Sequence, residues 1–320
     1  MSRRSRPPVL VAVILLVGLA LRLAPWGQNR FLEDEALYAS WGLQIATGAD
    51  PMLDGEPADK PPLHAYILAA SFRLTGSTRG GRAAETAARL PSLLASVASI
   101  ALVYGLGRAL YSGQQDEGLP ALATLLLALS PFDVLFASTA FTDPLLVALG
   151  LGALLAAARG KAGTTGLLAG LAAATKQQGL LFLPLVVAAG ALGPGLRRGG
   201  LARLGLGFAL VAAAVVAWDA ARVQRPGFWQ QSLIAYGRLA PAAPASLAER
   251  GADWLRLVGM FWASPWINVM AGAALAAWLI LAAAGRAPRP TGMDALLALF
   301  FLGYLALHWL LTFQVWDRYL

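Results

Sequence analysis

Long apolar runs separated by short polar breaks set the pattern of this chain. Runs near 9–26, 90–108, 118–137, 144–158, 164–175, 179–192, 204–222, 264–285 and 293–313 carry almost no charge. A helix crosses the hydrocarbon of a bilayer with about 20 mostly apolar residues, so the pattern predicts an all-α polytopic membrane bundle of about nine spans. The first run follows Arg3, Arg4 and Arg6. A cleaved signal peptide is one reading of it, but no small-residue cleavage site follows and many apolar runs do. An uncleaved first span with a cytoplasmic N-terminus is therefore expected. Residues 164–192 fit one long helix except at Lys176-Gln177-Gln178-Gly179. A lysine at mid-bilayer costs at least ~2.5 kcal/mol, which two short helices meeting at the outer surface avoid.

With that break the alternation is consistent throughout. Arg108, Arg159, Lys161, Arg197, Arg198, Arg203, Arg286 and Arg289 fall inside, and Asp143, Lys176 and Asp317 fall outside. Outer segments are expected at 28–88, 138–143, 176–178, 223–263 and 314–320. The stretch 61–75 is apolar but short, and Pro61-Pro62 opens it as a helix start. Counting it as a span would invert every later loop, so it is read as an interfacial helix of a large first outer loop. The whole of 1–320 reads as a single membrane domain without an internal repeat. Small residues such as Gly166 and Gly170 are read as low-complexity composition that permits close helix contact. The chain stops at Asp317-Arg318-Tyr319-Leu320 at the mouth of a span, and the expectation is a C-terminally truncated sequence.

Composition narrows the function classes. Hydrophobic residues make up 58% and charged residues 13%, against ~45–50% and ~25% in an ordinary soluble domain. A core of this size cannot hide that excess. With no cysteine, disulfide scaffolds, thiolate nucleophiles and Cys-ligated zinc are excluded. The net charge of +8 would suggest nucleic acid in a soluble protein. Here the basic residues flank apolar runs, which is topological anchoring, and no nucleic-acid partner is expected. Arginine outnumbers lysine 22 to 3, a bias that hints at a prokaryotic source and says nothing of mechanism.

Candidate chemistry gathers in the first outer loop. Its residues 33–59 hold Glu33, Asp34, Glu35, Asp50, Asp54, Glu56 and Asp59, seven of the seventeen acids. Asp50, Asp54 and Glu56, among Gly and Pro, read as a solvated loop. Glu33-Asp34-Glu35 directly precedes an amphipathic helical pattern over 36–46, where first-turn acids favour the dipole. Three adjacent carboxylates beside a membrane exceed what capping requires and suggest a base or a cation site.

Four segments in order then resemble a known family: Asp34-Glu35-Ala36-Leu37-Tyr38-Ala39, Asp59-Lys60-Pro61-Pro62-Leu63, Phe141-Thr142-Asp143-Pro144-Leu145, and Thr175-Lys176-Gln177-Gln178-Gly179. The chain is similar to the membrane glycosyltransferases that use polyprenyl-phosphate sugars, the clan of protein O-mannosyltransferases and aminoarabinose transferases. The resemblance runs from the first span to at least residue 192, and each segment falls on the outer face of the topology drawn above. It implies an inverting transfer of a sugar from a lipid phosphate to a lipid, glycan or protein acceptor, on the extracytoplasmic face of a prokaryotic plasma (inner) membrane. Such a reaction needs one carboxylate to take the acceptor's proton, whereas a glycosidase needs two flanking the bond. The departing phosphate needs cations near the bilayer surface.

By that resemblance Asp34 is the base and Glu35 its helper or orienter. Lys60 matches the family's phosphate-contacting lysine, Lys176 is a second such candidate, and Asp143 matches a further catalytic or structural acid. Each has a plainer reading. Lys60 could be a snorkelling anchor, Lys176 a helix-junction marker, Asp143 an N-cap. Arg82 and Arg89 read as surface charge, His64 as a polar residue of the interfacial helix. Asp133 and Asp219 look buried near outer span ends and would pair with arginines. No cofactor is certain. Related enzymes can hold a divalent metal on a nearby acid, but His64 with Asp59 is a thin basis, and no metal ligand is assigned. Ala36-Leu37 and Gln177-Gln178 depart from the polar or basic residue and the Gly-Pro that many relatives carry, so acceptor specificity does not transfer. Trp229, Tyr236, Trp254, Phe261, Trp262 and Trp266 read as an interfacial aromatic belt rather than a sugar platform. A secondary transporter is the alternative. It would place ionisable groups near the midplane and show repeated halves, and this chain gathers its acids in one loop.

Overall fold

A computed structural model describes residues 7–111, 118–193, 199–222, 226–236, 240–259, 261, 264–312 and 315, with the side chains of residues 7, 8 and 236 left aside. Arg3, Arg4, Arg6, Arg197, Arg198, Trp262, Asp317 and the Arg318-Tyr319-Leu320 ending lie outside the described residues, as does the side chain of Tyr236. The named elements are α1 (Pro7–Leu23), α2 (Glu33–Thr47), α3 (Leu63–Thr75), α4 (Gly81–Leu110), α5 (Gly118–Ala128), α6 (Pro131–Ala137), α7 (Asp143–Ala158), α8 (Ala162–Thr175), α9 (Phe182–Leu192), α10 (Gly200–Ala221), α11 (Phe228–Tyr236), α12 (Leu247–Gly259), α13 (Pro265–Ala283) and α14 (Gly292–Leu310), with short 3₁₀ turns at Gln177–Leu181 and Pro244–Ser246. Two compact units emerge, one of 1–129 with 133–232, the other of 130–132 with 233–320.

The expected all-helical class holds, and each of the nine apolar runs lies on helix. The count of nine spans is not supported. Among the described residues, by length and composition, α4, α10, α13 and α14 are long and apolar enough to cross a membrane, and α5 with α6, bent by 55°, makes a fifth if taken as one span. The remaining four runs form apolar helices of 10–17 residues. Polar breaks explain the short lengths: α7 and α8 are bounded by Asp143, the Arg159-Gly160-Lys161 turn and Lys176, none of which belongs in hydrocarbon. The helix expected from residue 90 starts nine residues earlier, at Gly81. Proline at position 91 lacks an N–H and strips the Ala87 carbonyl of its partner. The Ser71 hydroxyl of α3 donates to that carbonyl at 2.6 Å, so the kink residue is tolerated and α3 is tied to α4.

Three further ties build the first unit. Arg73 of α3 donates to the carbonyls of Ala46 (2.9 Å) and Ile45 (2.9 Å), closing the C-terminus of α2. Arg22, fully buried on α1, donates to Ser96 (2.6 Å), to the carbonyls of Gly18 (2.8 Å), Ala128 (3.0 Å) and Leu127 (3.2 Å), and to Asp133. Ala128 and Leu127 end α5, and a guanidinium satisfies carbonyls that a broken helix leaves without N–H partners. At the end of α10 the buried Arg222 pairs with Asp219 (3.5 Å), stacks on Trp218 (4.7 Å) and donates to the carbonyls of Leu53 (2.8 and 3.1 Å) and Glu56 (2.6 Å). Both acids expected to pair with arginines do so. Leu53, held this way, has φ +56°, a left-handed conformation that a leucine adopts only under constraint.

The small residues of α8 carry more weight than low complexity. A Cβ at Gly166 would stand 1.9 Å from the Leu204 carbonyl oxygen, and one at Gly207 would stand 2.5 Å from that of Gly163. Backbones of α8 and α10 meet there, as small-residue helix pairs in membranes do. In the second unit Arg250 of α12 donates to the carbonyls of His308 (2.8 Å), Trp309 (3.1 Å) and Leu311 (2.5 Å), covering the end of α14. Trp254 is buried against His308 at 6.0 Å, so it does not belong to an aromatic belt, whereas Trp229 and Trp266 are exposed.

Candidate active site

Four loop or helix-end segments converge at one end of the first unit. At the start of α2, Glu35 is 2% exposed. Its Oε2 accepts from Leu32 N (3.0 Å) and Arg89 Nη2 (3.4 Å), and its Oε1 accepts from Arg89 Nε (3.1 Å) and Ala140 N (2.9 Å). Arg89 spends its remaining donors on the carbonyls of Asn29 (2.8 Å) and Arg30 (3.1 Å) and lies over the Phe31 ring. A carboxylate has about four lone-pair sites, so Glu35 is filled. It welds α2, α4 and the 138–142 loop together. Arg89, expected at the surface, is buried because it neutralises this acid. Asp34, one position earlier, stays half-buried, and Glu33 is exposed.

Lys60 is 5% exposed and donates to Asp59 at 2.7 Å, which is not the geometry of a snorkelling anchor. Two prolines follow, and α3 begins at Leu63. Gln177 donates to the Asp59 carbonyl (2.6 Å) and to Ser232 (2.9 Å), drawing the second lysine segment onto the first. Lys176 is at once the C-cap of α8, in extended conformation, and a buried partner of Asp143 at 2.6 Å. The Asp143 carboxylate is not the N-cap of α7; that place belongs to Thr142, and Asp143 stands in the first turn. Its second oxygen, Oδ2, is buried with no hydrogen-bond partner among the described residues.

The residue that sequence reasoning undervalued is His64. It is 3% exposed, its Nε2 lies 2.9 Å from the Ala140 carbonyl, and its Nδ1 is buried with no partner among the described residues. Tyr38 of α2 meets it edge-on at 5.8 Å and meets Phe141 at 6.5 Å. Burial drives its pKa down to about 4, the Lys176 charge pushes the same way, and the Ala140 bond and Asp143 oppose. Its signal in the sequence was a polar residue one step inside an apolar helix after Lys60-Pro61-Pro62. The ring of contacts is thus closed: Glu35 and His64 both hold Ala140, Asp143 holds Lys176, and Gln177 holds Asp59.

Other expected residues take supporting places. Asp50 accepts from the backbone of Asp54 (2.9 Å) and Gly55 (2.8 Å), and Glu56 accepts from Trp41 (3.2 Å) and Gln44 (2.6 Å), so these acids shape the loop. Arg82 and the exposed Arg30 flank the buried Glu85. Among the described residues no three His, Cys, Asp or Glu side chains come together as a metal site. Asp59 pairs with Lys60, and His64 Nε2 faces the Ala140 carbonyl. At the other end of α7, a Cβ on Gly105 would lie 3.5 Å from Arg159, which puts the Arg108 and Arg159 ends together and away from Asp143.

The family described as dolichyl-phosphate-mannose-protein mannosyltransferase matches residues 59–218, the stretch that carries Lys60, Asp143 and Lys176. The chain belongs to that family. It is also similar to the solved apo structure of ArnT from Cupriavidus metallidurans, with a TM-score of 0.65 over 98% of this chain at 19% identity. At that identity the likeness shows a shared fold. The chain covers 56% of the ArnT chain, a little more than half its length. No curated protein matches the sequence. The resemblance read from the four segments is therefore shown at the level of the mannosyltransferase and ArnT-like superfamily. Asp34 and Glu35 precede the family match.

Proposed function

We propose that the protein is a multi-pass membrane glycosyltransferase that moves a sugar from a polyprenyl-phosphate donor to a lipid, glycan or protein acceptor on the extracytoplasmic face of a prokaryotic plasma membrane. One observation carries the reading: two buried lysines, each beside an aspartate, sit in the same cluster of segments as an acid-rich helix start whose Glu35 is already filled. Asp34, half-buried on the same turn, is the carboxylate that the family resemblance points to for proton removal. It takes the proton from the acceptor hydroxyl or amine as that atom attacks the anomeric carbon. The bond to the lipid phosphate breaks on the opposite side, so the configuration inverts. Lys60 and Lys176 stabilise the phosphate that leaves. At 5% and 3% exposure their charges are screened less than surface charges, and preorganised charge of this kind is where most transition-state stabilisation arises. Asp143 fixes Lys176, and Glu35 positions the turn that carries Asp34.

The test is transfer from labelled polyprenyl-phosphate sugars in membranes expressing the full-length gene. Asp34→Asn is expected to abolish turnover while leaving donor binding, and Lys60→Met to weaken donor binding. Wild-type turnover by purified Asp34→Asn would overturn the assignment of the base. Absence of transfer across a donor panel, with the protein folded and inserted, would overturn the reading as a whole.

A further inference from the structure

The site holds two kinds of polar atom, and the proposed mechanism uses one of them. The lysines offer donors and suit a phosphate. His64 Nδ1 and Asp143 Oδ2 are acceptors, both buried, and neither meets a donor among the described residues. A backbone carbonyl only accepts, so the His64 Nε2 that faces Ala140 O carries the ring hydrogen and Nδ1 presents a bare lone pair. Both atoms are anchored to one turn of chain: Ala140 fixes the imidazole, and Asp143 lies three residues on. A buried acceptor without a donor costs about 1–3 kcal/mol, and two in one cluster of segments, with Asp143 close enough to act on the His64 charge, are an invitation to a ligand that brings donors. A phosphate brings none at neutral pH, whereas a sugar brings several hydroxyls. A metal ion does not suit the pair, because Asp143 already compensates the Lys176 ammonium and no third His, Cys, Asp or Glu among the described residues joins them.

We propose that His64 Nδ1 and Asp143 Oδ2 form the subsite that reads hydroxyl groups of the donor sugar. The proposal rests on the function above and adds which part of the donor each residue sees: the lysines hold the phosphate, and the His64–Asp143 pair holds the sugar. Burial keeps the imidazole neutral at physiological pH, which the acceptor role requires. The charged groups that act on it are Asp143 and Lys176, and their opposed signs leave its lone pair available.

Residues 1–320 hold two histidines, His64 and His308, and the His64 imidazole ¹⁵N resonances of the full-length protein in nanodiscs are assigned by substituting the other histidines. The probes are short-chain polyprenyl-phosphate hexoses and pentoses, with bare polyprenyl phosphate beside them. Bare polyprenyl phosphate is expected to bind without moving the His64 Nδ1 resonance, and a sugar-bearing lipid to move it. His64→Gln keeps a donor for Ala140 and replaces the acceptor at Nδ1 with an amide oxygen in a different position. It is expected to weaken binding of that lipid roughly tenfold, about the worth of one well-placed hydrogen bond, and to leave bare polyprenyl phosphate unchanged. Sugar-bearing lipids that bind with Nδ1 unmoved would overturn the subsite and leave the glycosyltransferase reading standing, as would an equal loss for both lipids in His64→Gln. Failure of every lipid phosphate to bind would overturn the function itself and the subsite with it. The wild-type spectrum decides the matter even where the variant does not fold.

Discussion

At the scale of single residues, adjacent acids have opposite duties. Glu35 and Asp34 differ by 100° around the first turn of α2, and that rotation puts one against Arg89 and leaves the other half-buried. Breaking a buried ion pair from one side costs about 3–5 kcal/mol because the remaining charge is stranded. Glu35→Gln is therefore expected to lower the melting temperature sharply, and Glu35→Gln with Arg89→Met to recover part of the loss. Asp34→Asn is expected to melt close to wild type. Thermal unfolding in detergent of all three measures it, and equal losses for Glu35→Gln and Asp34→Asn would show that Glu35 is not the weld. His64 makes a pH prediction. Its pKa falls from 6.5 to about 4 on folding, so the unfolded chain binds the extra proton between those values. The stability it contributes is complete above pH 6.5 and is lost as pH falls towards 4, by up to roughly 3 kcal/mol. His64→Gln is expected to flatten that part of the stability–pH curve, whereas an unchanged slope would mean that His64 is not held neutral.

At the scale of elements, the structure turns on backbone groups that ordinary helices would have satisfied. Pro91 frees the Ala87 carbonyl and Ser71 reclaims it. Ser71→Ala should cost about 1–2 kcal/mol, the penalty of a buried acceptor left unmet. In a Pro91→Ala background an amide N–H returns to the same carbonyl, so the cost of Ser71→Ala should largely vanish. A double-mutant cycle on unfolding free energies measures this directly, and additive effects would contradict it. The α8–α10 contact gives a paired test. Gly166→Ala puts a methyl into the Leu204 carbonyl and should prevent close packing, whereas a methyl at Gly163 meets nothing within 4 Å. Gly163→Ala should be neutral or stabilise by about 0.5–1 kcal/mol through helix propensity. Equal behaviour of the two in thermal melts would contradict the contact.

At the scale of the whole molecule, periodicity located nearly every helix, because burial in lipid demands long uncharged runs and nothing else in the sequence mimics them. Periodicity could not tell full-length spans from half-length ones, since α7 and α8 look as apolar as α10 and differ only in where polar residues end them. Asp34, Lys60, Asp143 and Lys176 stood out as candidates because four short segments around them, each at the edge of an apolar run, resemble the family in order. Arg89 and His64 did not, because their importance depends on partners 54 and 76 residues away, Glu35 and Ala140. The same alternation of charge makes one prediction about the assembled molecule. Asp143 and Lys176 meet at one end of the first unit, while Arg159 and Gly105 share the other. The basic residues that favour the cytoplasm lie on the second end, so the first should face outward. Residues 1–320 hold no cysteine, so a single cysteine introduced there has no native thiol among them to compete. Thr47→Cys, exposed at the end of α2, should react with an impermeant maleimide in intact cells. Thr164→Cys, exposed beside Lys161, should react only after permeabilisation. The reverse pattern would place Asp34 and both lysines in the cytoplasm and require a donor presented from that side.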